Sequence, residues 1–420
     1  MAQRGITEFD AKRMLATAID GYAGEVVLVR KGEALKDQLK DHPWLKAKKL
    51  VVKPDQLFGK RGKNKLIGLG LDADGANAWI GERMNKEVTL LSGVTGTLDT
   101  FLVEPMTPHE SEYYVAMKAS ETCDSIYLSA FGGVEVEENW DKVRELKVPN
   151  MGTPDPKQLE GLAKEICAKS PGDVPIVVKF VEQLWGLYAK GGFVYLEINP
   201  FAVAGTSAVP LDCVAKVDDT AEFECRDLWG DLDFPPPFGQ VLRPEELRVK
   251  ELDAMSGASL KLRVLNPDGR VWNMVAGGGA SVIYADTVAD LGAASELAMY
   301  GEYSGDPSTQ LTYEYAKVIM DLMTRKPDPQ GRPKVLIIGG GIANFTDVAK
   351  TFTGIINAMD EYADKLKSVK THIFVRRGGP NYKVGLRNIQ EAADRLGLPI
   401  QVHGPETHMT DVVRMALAQA

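Results

Sequence analysis

Asp231-Leu-Asp-Phe-Pro-Pro-Pro-Phe-Gly-Gln-Val-Leu-Arg-Pro-Glu-Glu246 divides the chain into two unlike halves. Three successive prolines lack the N–H that a helix interior or a central strand needs, so neither element crosses this stretch. The expected organisation is a domain over 1–230, a linker over 231–248 and a second domain over 249–420. Beyond the linker, apolar runs at 260–265, 271–275, 335–338, 372–375 and 399–402 alternate with amphipathic stretches near 308–325, 347–367, 383–396 and 409–419. That alternation predicts an α/β domain, a parallel sheet covered by helices. Before the linker, strands are expected at 101–103, 113–117, 125–130, 193–199 and 209–217, with helices near 156–169 and 176–189. Antiparallel strands mixed with helices predict an α+β domain in two lobes, split near residue 105.

Composition narrows the class. The 420 residues are 44% hydrophobic and 25% charged, values of an ordinary folded protein and not of a disordered or fibrous one. With 58 acidic against 49 basic residues and a net charge of -9, nucleic acid is not an expected partner. Cys123, Cys167, Cys213 and Cys225 form no CxxC pair, which fits reduced thiols in a cytoplasm. The start, MAQRGITEFDAKRML, alternates charged and apolar residues, and no membrane span is expected.

Four groups of residues carry chemistry. In Tyr195-Leu-Glu-Ile-Asn-Pro200, strand alternation puts Glu197 and Asn199 on one face, and a returning hairpin can bring Asp212 beside them. Hard oxygen ligands converging on one point suit Mg²⁺ held against nucleotide phosphates; ordinary solvent-facing polar residues are the plain alternative. Lys53, in Val51-Val-Lys-Pro54, and the basic turn Gly59-Lys-Arg-Gly-Lys63 can grip polyphosphate, or can be a solvated cationic turn. No GxxxxGK[ST] loop is present. Val275-Ala-Gly-Gly-Gly-Ala280 and Ile337-Ile-Gly-Gly-Gly-Ile342 each join a strand to a helix, where backbone N–H groups and the helix dipole favour an anion. Neither completes GxGxxG, and Asn344 and Thr346 beyond the second loop can be simple helix caps. Phe374-Val-Arg-Arg-Gly-Gly-Pro-Asn381 delivers two arginines to the same crevice, so a polycarboxylate ligand is expected there.

YLEINP, the following LD, AGGGAS, GEYSG, GGGIANFTDV and FVRRGGPNY together closely resemble the synthetase subunit of two-subunit ATP-citrate lyase, itself similar to the succinyl-CoA synthetase β subunit. The resemblance runs from DHPWLKAKKLVVKPDQL to PETHMTDVVRMAL. It implies an ATP-grasp fold before the linker and a flavodoxin-like domain after it. It implies that Lys53, Arg61, Gly62, Pro105, Thr107 and Glu112 surround ATP, with Asn199 and Asp212 holding Mg²⁺. Asp253, Ser256 and Ala258 match a further metal position, and Gly277, Gly278, Gly279, Gly305, Asn344, Thr346, Tyr362 and Arg377 match citrate-binding positions.

The implied reaction passes the γ-phosphoryl group of Mg-ATP to a histidine and then to citrate, after which coenzyme A forms citryl-CoA. The lyase step then yields acetyl-CoA and oxaloacetate. The phosphohistidine and the citryl-CoA lyase domain belong in this family to a larger partner subunit. No Gly-His-Ala-Gly loop occurs here, so no catalytic residue is assigned, and a cytoplasmic hetero-oligomer inactive without its partner is expected. The rival expectations are the small subunit of citryl-CoA synthetase, another acid-CoA ligase of the succinate type, and a non-catalytic nucleotide sensor; retention of Lys53, Asn199, Asp212 and Arg377 together speaks against the last.

Overall fold

Runs such as Val335-Leu-Ile-Ile338, apolar on successive residues, suit strands buried on both faces. The computed structural model describes residues 3–133, 136 and 139–420, and its chain separates into Met1–Val241 and Leu242–Ala420. In the second unit the sheet order is Ser259–Val264, Met299–Ser304, Val271–Ala276, Val335–Gly340, His372–Arg376, Ile400–His403. The first of these is antiparallel to its neighbour and the other five run parallel. Numbered along the chain, the parallel strands lie in the order 2-1-3-4-5, the flavodoxin-like arrangement, whose switch point falls between Val271–Ala276 and Val335–Gly340.

Both faces of this sheet are covered. Val271, Val275, Val335, Ile337 and Phe374 pack with the helices Gly278–Val288 and Met409–Leu417. Trp272, Met274, Leu336, Ile338, Ile373 and Val375 pack with Thr309–Thr324, Val348–Ser368 and Tyr382–Leu396 on the other face. The strand Met299–Ser304 was not among the expected ones, and the helix Pro244–Ala254 begins inside the expected linker. Its start is set by proline at the first turn and by Glu246, whose carboxylate accepts the Arg243 N–H at 2.8 Å.

Among the described residues the first unit holds two main antiparallel sheets beside a two-stranded one, Glu87–Thr89 with Thr95–Thr97. The larger runs Gln3–Ile6, Cys213–Asp218, Phe193–Ala204, Ser111–Lys118, Cys123–Ser129, Arg144–Pro149, with Ser207–Pro210 also paired to Phe193–Ala204. Val177, Phe180, Val181, Leu184, Leu187 and Tyr188, spaced three and four apart on the helix Val174–Lys190, fill its core. The smaller sheet, Val27–Arg30, Thr100–Pro105, Leu50–Pro54, Gly68–Leu71, packs against the helix Ala73–Arg83. A division at residue 105 describes these lobes incompletely, because Gln3–Ile6 and the helix Glu8–Ala16 pack with the larger sheet.

The single strand expected at 209–217 is broken in two. The N–H groups of Leu211 and Asp212 turn together onto the Pro200 carbonyl, at 3.0 and 3.4 Å, and so leave the ladder. The break places the Leu211 carbonyl and the Asp212 side chain among the cations described next.

Candidate functional sites

In the first unit, charge is concentrated where a core is expected. Glu8, Lys12, Lys53, Asp55, Arg61 and Glu104 are all buried, none more than 8% exposed. Lys53 and Glu104 lie diagonally on adjacent strands, Lys53 opposite Leu102 and Glu104 opposite Val51. Lys53 Nζ is 2.6 Å from Glu8 Oε1 and 2.8 Å from Glu104 Oε1, and donates to the Leu211 carbonyl at 2.6 Å. Lys12 donates to the same carbonyl at 3.0 Å and pairs with Glu8 at 2.8 Å and with Glu104. Arg61 donates from Nη1 to the Pro54 carbonyl at 3.0 Å, while Nη2 faces Glu8 at 2.5 Å and Asp212.

Burial alone would raise the Glu8 carboxyl; the charges of Arg61, Lys12 and Lys53 outweigh it and hold it well below the usual carboxylate range. Neither Glu8 oxygen makes a well-directed hydrogen bond, so the carboxylate is held by charge more than by geometry. Glu8, Lys12 and Glu104 were not among the residues singled out from sequence. The available signal was the spacing of Glu8 and Lys12, four apart on the helix face that also carries Ala11 and Leu15, where charges do not ordinarily sit.

Asp55, just past the strand Leu50–Pro54, accepts the N–H groups of Glu8 and Phe9, at 2.9 and 3.2 Å, and so caps that helix from a distant part of the chain. Burial, reinforced by the Glu8 charge and opposed by Arg61, pushes its carboxyl from 3.8 up to about 7. An acid with a raised folded-state pKa keeps a proton that the unfolded chain has lost. Stability therefore falls as pH rises from about 4 to 7, by at most about 4 kcal/mol from this group. Relative to wild type, Asp55→Asn should gain stability steadily between pH 5 and pH 8, measured by urea unfolding. A difference that does not change with pH would mean that Asp55 is already ionised at pH 5.

The structure brings Asn199 and Asp212 together, the Asn199 N–H donating to the Asp212 carbonyl at 3.0 Å. On the same strand face, Tyr195 donates to Glu197 at 2.5 Å and Asn199 Nδ2 to Glu197 at 3.3 Å, as alternation required. Asn199 Oδ1 is buried with no hydrogen-bond partner. A free amide oxygen beside a carboxylate fits Mg²⁺, which takes a few protein oxygens and completes its shell with phosphate and water. Gly62 lies in the turn after Arg61, its carbonyl accepting the Lys65 N–H at 2.9 Å.

Pro105 ends its strand opposite Leu50, three residues before Lys53 and hence about 10 Å from it along the strand. Thr107 and Glu112 are joined there by His109, whose ring nitrogens are 2.7 Å from the Thr107 carbonyl and 2.7 Å from Glu112 Oε1. Lys53 and Arg61 thus supply cationic groups, and Thr107 and Glu112 offer backbone and a carboxylate.

In the second unit, the two loops flank the switch point. Gly277 adopts φ +97°, a conformation open to glycine, and begins the helix Gly278–Val288. Glu302 already stands against this loop at Gly278, where a Cβ would lie 2.6 Å from its Oε2, while a Cβ at Gly277 or Gly279 would meet nothing within 4 Å. In the other loop, Asp347 caps the helix Val348–Ser368, its side chain accepting the Lys350 N–H at 3.0 Å. Asn344 and Thr346 are thereby relieved of capping, and among the described residues neither side chain has a hydrogen-bond partner.

The two arginines differ. Arg376 is spent on the carbonyls of Thr407, Gly340 and Pro405, at 2.9, 2.9 and 3.1 Å. The Arg377 side chain, in a residue 4% exposed, donates among the described residues only to the Gly341 carbonyl at 2.9 Å, and its Nε has no partner. Among the described residues no carboxylate pairs with it, and burial pulls its pKa down. A buried guanidinium left without an anion has the chemistry to receive one.

Gly305, with φ +77°, borders a cleft of 540 Å³ that Ser256 and Ala258 also line. Asp253 is committed elsewhere, accepting the Leu260 N–H at 2.7 Å and pairing with Lys261 at 2.9 Å, so only hydroxyl and backbone oxygens of this trio remain for a cation. Tyr362 is not brought to the crevice. It lies fourteen residues past the start of Val348–Ser368, about 21 Å along the axis, under the Lys365 ammonium.

A sequence model of the ATP-citrate synthase ATP-grasp domain matches residues 2–229, and a model of the ATP citrate lyase citrate-binding region matches 240–419. ATP-citrate synthase alpha chain protein 1 of Arabidopsis thaliana is 45% identical over 99% of this chain and 98% of its own length. ATP-citrate synthase of Homo sapiens is 50% identical over 90% of this chain but only 34% of its own length. The solved structure of ATP citrate lyase from Methanothrix soehngenii in complex with citrate and coenzyme A superposes with a TM-score of 0.89 at 49% identity, covering 99% of this chain and 100% of that one. With both domain models matched along nearly its whole length, the chain belongs to the ATP-citrate synthase family.

Proposed function

We propose that this chain is the citrate- and ATP-binding subunit of a two-subunit ATP-citrate lyase. The observation that carries the reading is Arg377, a buried guanidinium without a carboxylate at the switch point of the second unit. The longer human relative, matched over one third of its length, supports a separate, larger partner bearing the phosphohistidine and the lyase domain, and hence a hetero-oligomer. No helix among the described residues is long and apolar enough to cross a membrane. A cytoplasmic location accords with the unpaired cysteines.

Lys53 and Arg61 neutralise the phosphates of ATP and hold its γ-phosphorus in line with the partner's histidine, a positioning task more than a covalent one. Asn199 and Asp212 would hold Mg²⁺, which when bound draws charge off the bridging phosphate oxygens. At the second site Arg377, with Asn344 and Thr346, orients citrate so that a carboxylate oxygen attacks the phosphorus and the P–N bond breaks. The thiolate of coenzyme A then attacks the acyl carbon of citryl phosphate, and phosphate leaves. Gly277, Gly278, Gly279 and Gly305 contribute backbone at the rim, and Ser256 and Ala258 offer oxygens to a second cation.

Isothermal titration of the full chain with citrate, succinate and isocitrate, each with and without Mg-ATP, tests the reading. Citrate alone among the three should bind. Binding of succinate alone would replace the reading with a succinyl-CoA synthetase type of ligase.

A further inference from the structure

The end of the parallel sheet carries a row of three residues in register, with Arg377 beside it. Ala276 is level with Tyr303 on one side and with Gly340 on the other, while Arg377 lies just past the next strand, where the register shifts by one residue between the pairs Ile338–Val375 and Ile342–Gly378. Residues in register on parallel strands share a face, so Tyr303, Ala276 and Gly340 all point to the side that carries the helix Val348–Ser368. Three strand spacings of about 4.8 Å separate the Tyr303 and Arg377 backbones, about 14 Å in all. The two residues between them are the smallest available. Arg377 uses that space: a Cβ on Gly340 would stand 2.5 Å from its Nη1 and 3.1 Å from the Ala276 Cβ, so the guanidinium lies over the glycine.

Tyr303 is 1% exposed, and its hydroxyl has no hydrogen-bond partner. The neighbouring Tyr315, with ring centroids 6.1 Å apart, does not share this condition, because its hydroxyl donates to the Lys261 carbonyl at 2.9 Å. Tyrosine hydroxyls buried without a partner are costly and uncommon. Here the orphaned hydroxyl and the guanidinium with the orphaned Arg377 Nε lie on one face of the sheet. The positive charge of Arg377 also reaches the Tyr303 phenol, opposing the rise in pKa that burial causes. Two unmet donors on one face, with alanine and glycine between their strands, suit one carboxylate, with a fork from one side and an O–H from the other.

We propose that Tyr303 is a further citrate-binding residue, its hydroxyl donating to the carboxylate that Arg377 holds. The inference rests on the citrate reading above and adds to it a residue that approaches from the opposite side of the switch point. It separates Tyr303 from a purely packing role, because a packing tyrosine gains nothing from an unpaired hydroxyl.

Tyr303→Phe in the full chain tests it by citrate titration and by thermal unfolding with and without citrate. The free variant should melt at the wild-type temperature or above, since no hydrogen bond is lost. Its citrate dissociation constant should rise about tenfold to a hundredfold, the effect of one hydrogen bond to a charged group, and its stabilisation by citrate should shrink accordingly. Wild-type citrate affinity in the variant would overturn the role of Tyr303 while leaving the citrate reading in place. A lowered melting temperature with unchanged affinity would make the hydroxyl structural. No citrate binding by the wild-type chain would overturn both.

Discussion

Arg377→Ala should raise the citrate dissociation constant about a hundredfold while leaving Mg-ATP affinity within about twofold. Truncating one partner of a buried, hydrogen-bonded charge pair costs about 2–5 kcal/mol, and about 2.7 kcal/mol is a hundredfold in affinity. The variant should not be grossly destabilised. In the free chain the Arg377 guanidinium makes a single hydrogen bond, to the Gly341 carbonyl, and is buried without a carboxylate partner among the described residues. Arg377→Lys is expected to recover only part of the affinity, because an ammonium restores the charge but not the planar fork. Titration of both variants with citrate and with Mg-ATP checks the pair of expectations. Equal loss of both ligands in Arg377→Ala would point to misfolding, and unchanged citrate affinity would remove Arg377 from the site.

The second unit was legible because its signal is local. Strands such as Val335–Gly340 are apolar on successive residues and the helices between them are amphipathic, so the parallel sheet follows from periodicity alone. Met299–Ser304 escaped because Gly301, Glu302 and Ser304 dilute the apolar run, although Met299, Gly301 and Tyr303 alternate inward in the structure. Arg377 was visible as an arginine at a strand end, but its difference from Arg376 was not. That difference depends on which carbonyls the loops at 340–341 and 405–407 present. Tyr303 was quoted within a motif without a role, since its unpaired hydroxyl is a fact of packing. Tyr362 carries the converse lesson: helix geometry sets it about 21 Å along the axis from the start of Val348–Ser368, a separation that matching single positions does not show.

Glu8 shows the same limit in the first unit and supports the other large expectation. Its cationic neighbours come from positions 12, 53 and 61, and no local pattern announces that they converge. Glu8→Ala leaves Lys12, Lys53 and Arg61 facing only Glu104, Asp212 and the more distant Asp55, in a place that water scarcely reaches. Removing one member of a buried charge network costs about 3–5 kcal/mol, because the remaining charges stay desolvated. Chemical denaturation should show a loss of that order. The deficit is specifically one of negative charge beside Lys53 and Arg61, and the phosphates of ATP are anions that this same site is proposed to take. Mg-ATP should therefore raise the melting temperature of Glu8→Ala by more than it raises that of wild type. A protein merely damaged in its core would gain no more from the nucleotide than wild type does. A smaller nucleotide-induced shift in the variant would mean instead that Glu8 positions Lys53 and Arg61 for the phosphates, and that their alignment matters more than the vacancy it leaves.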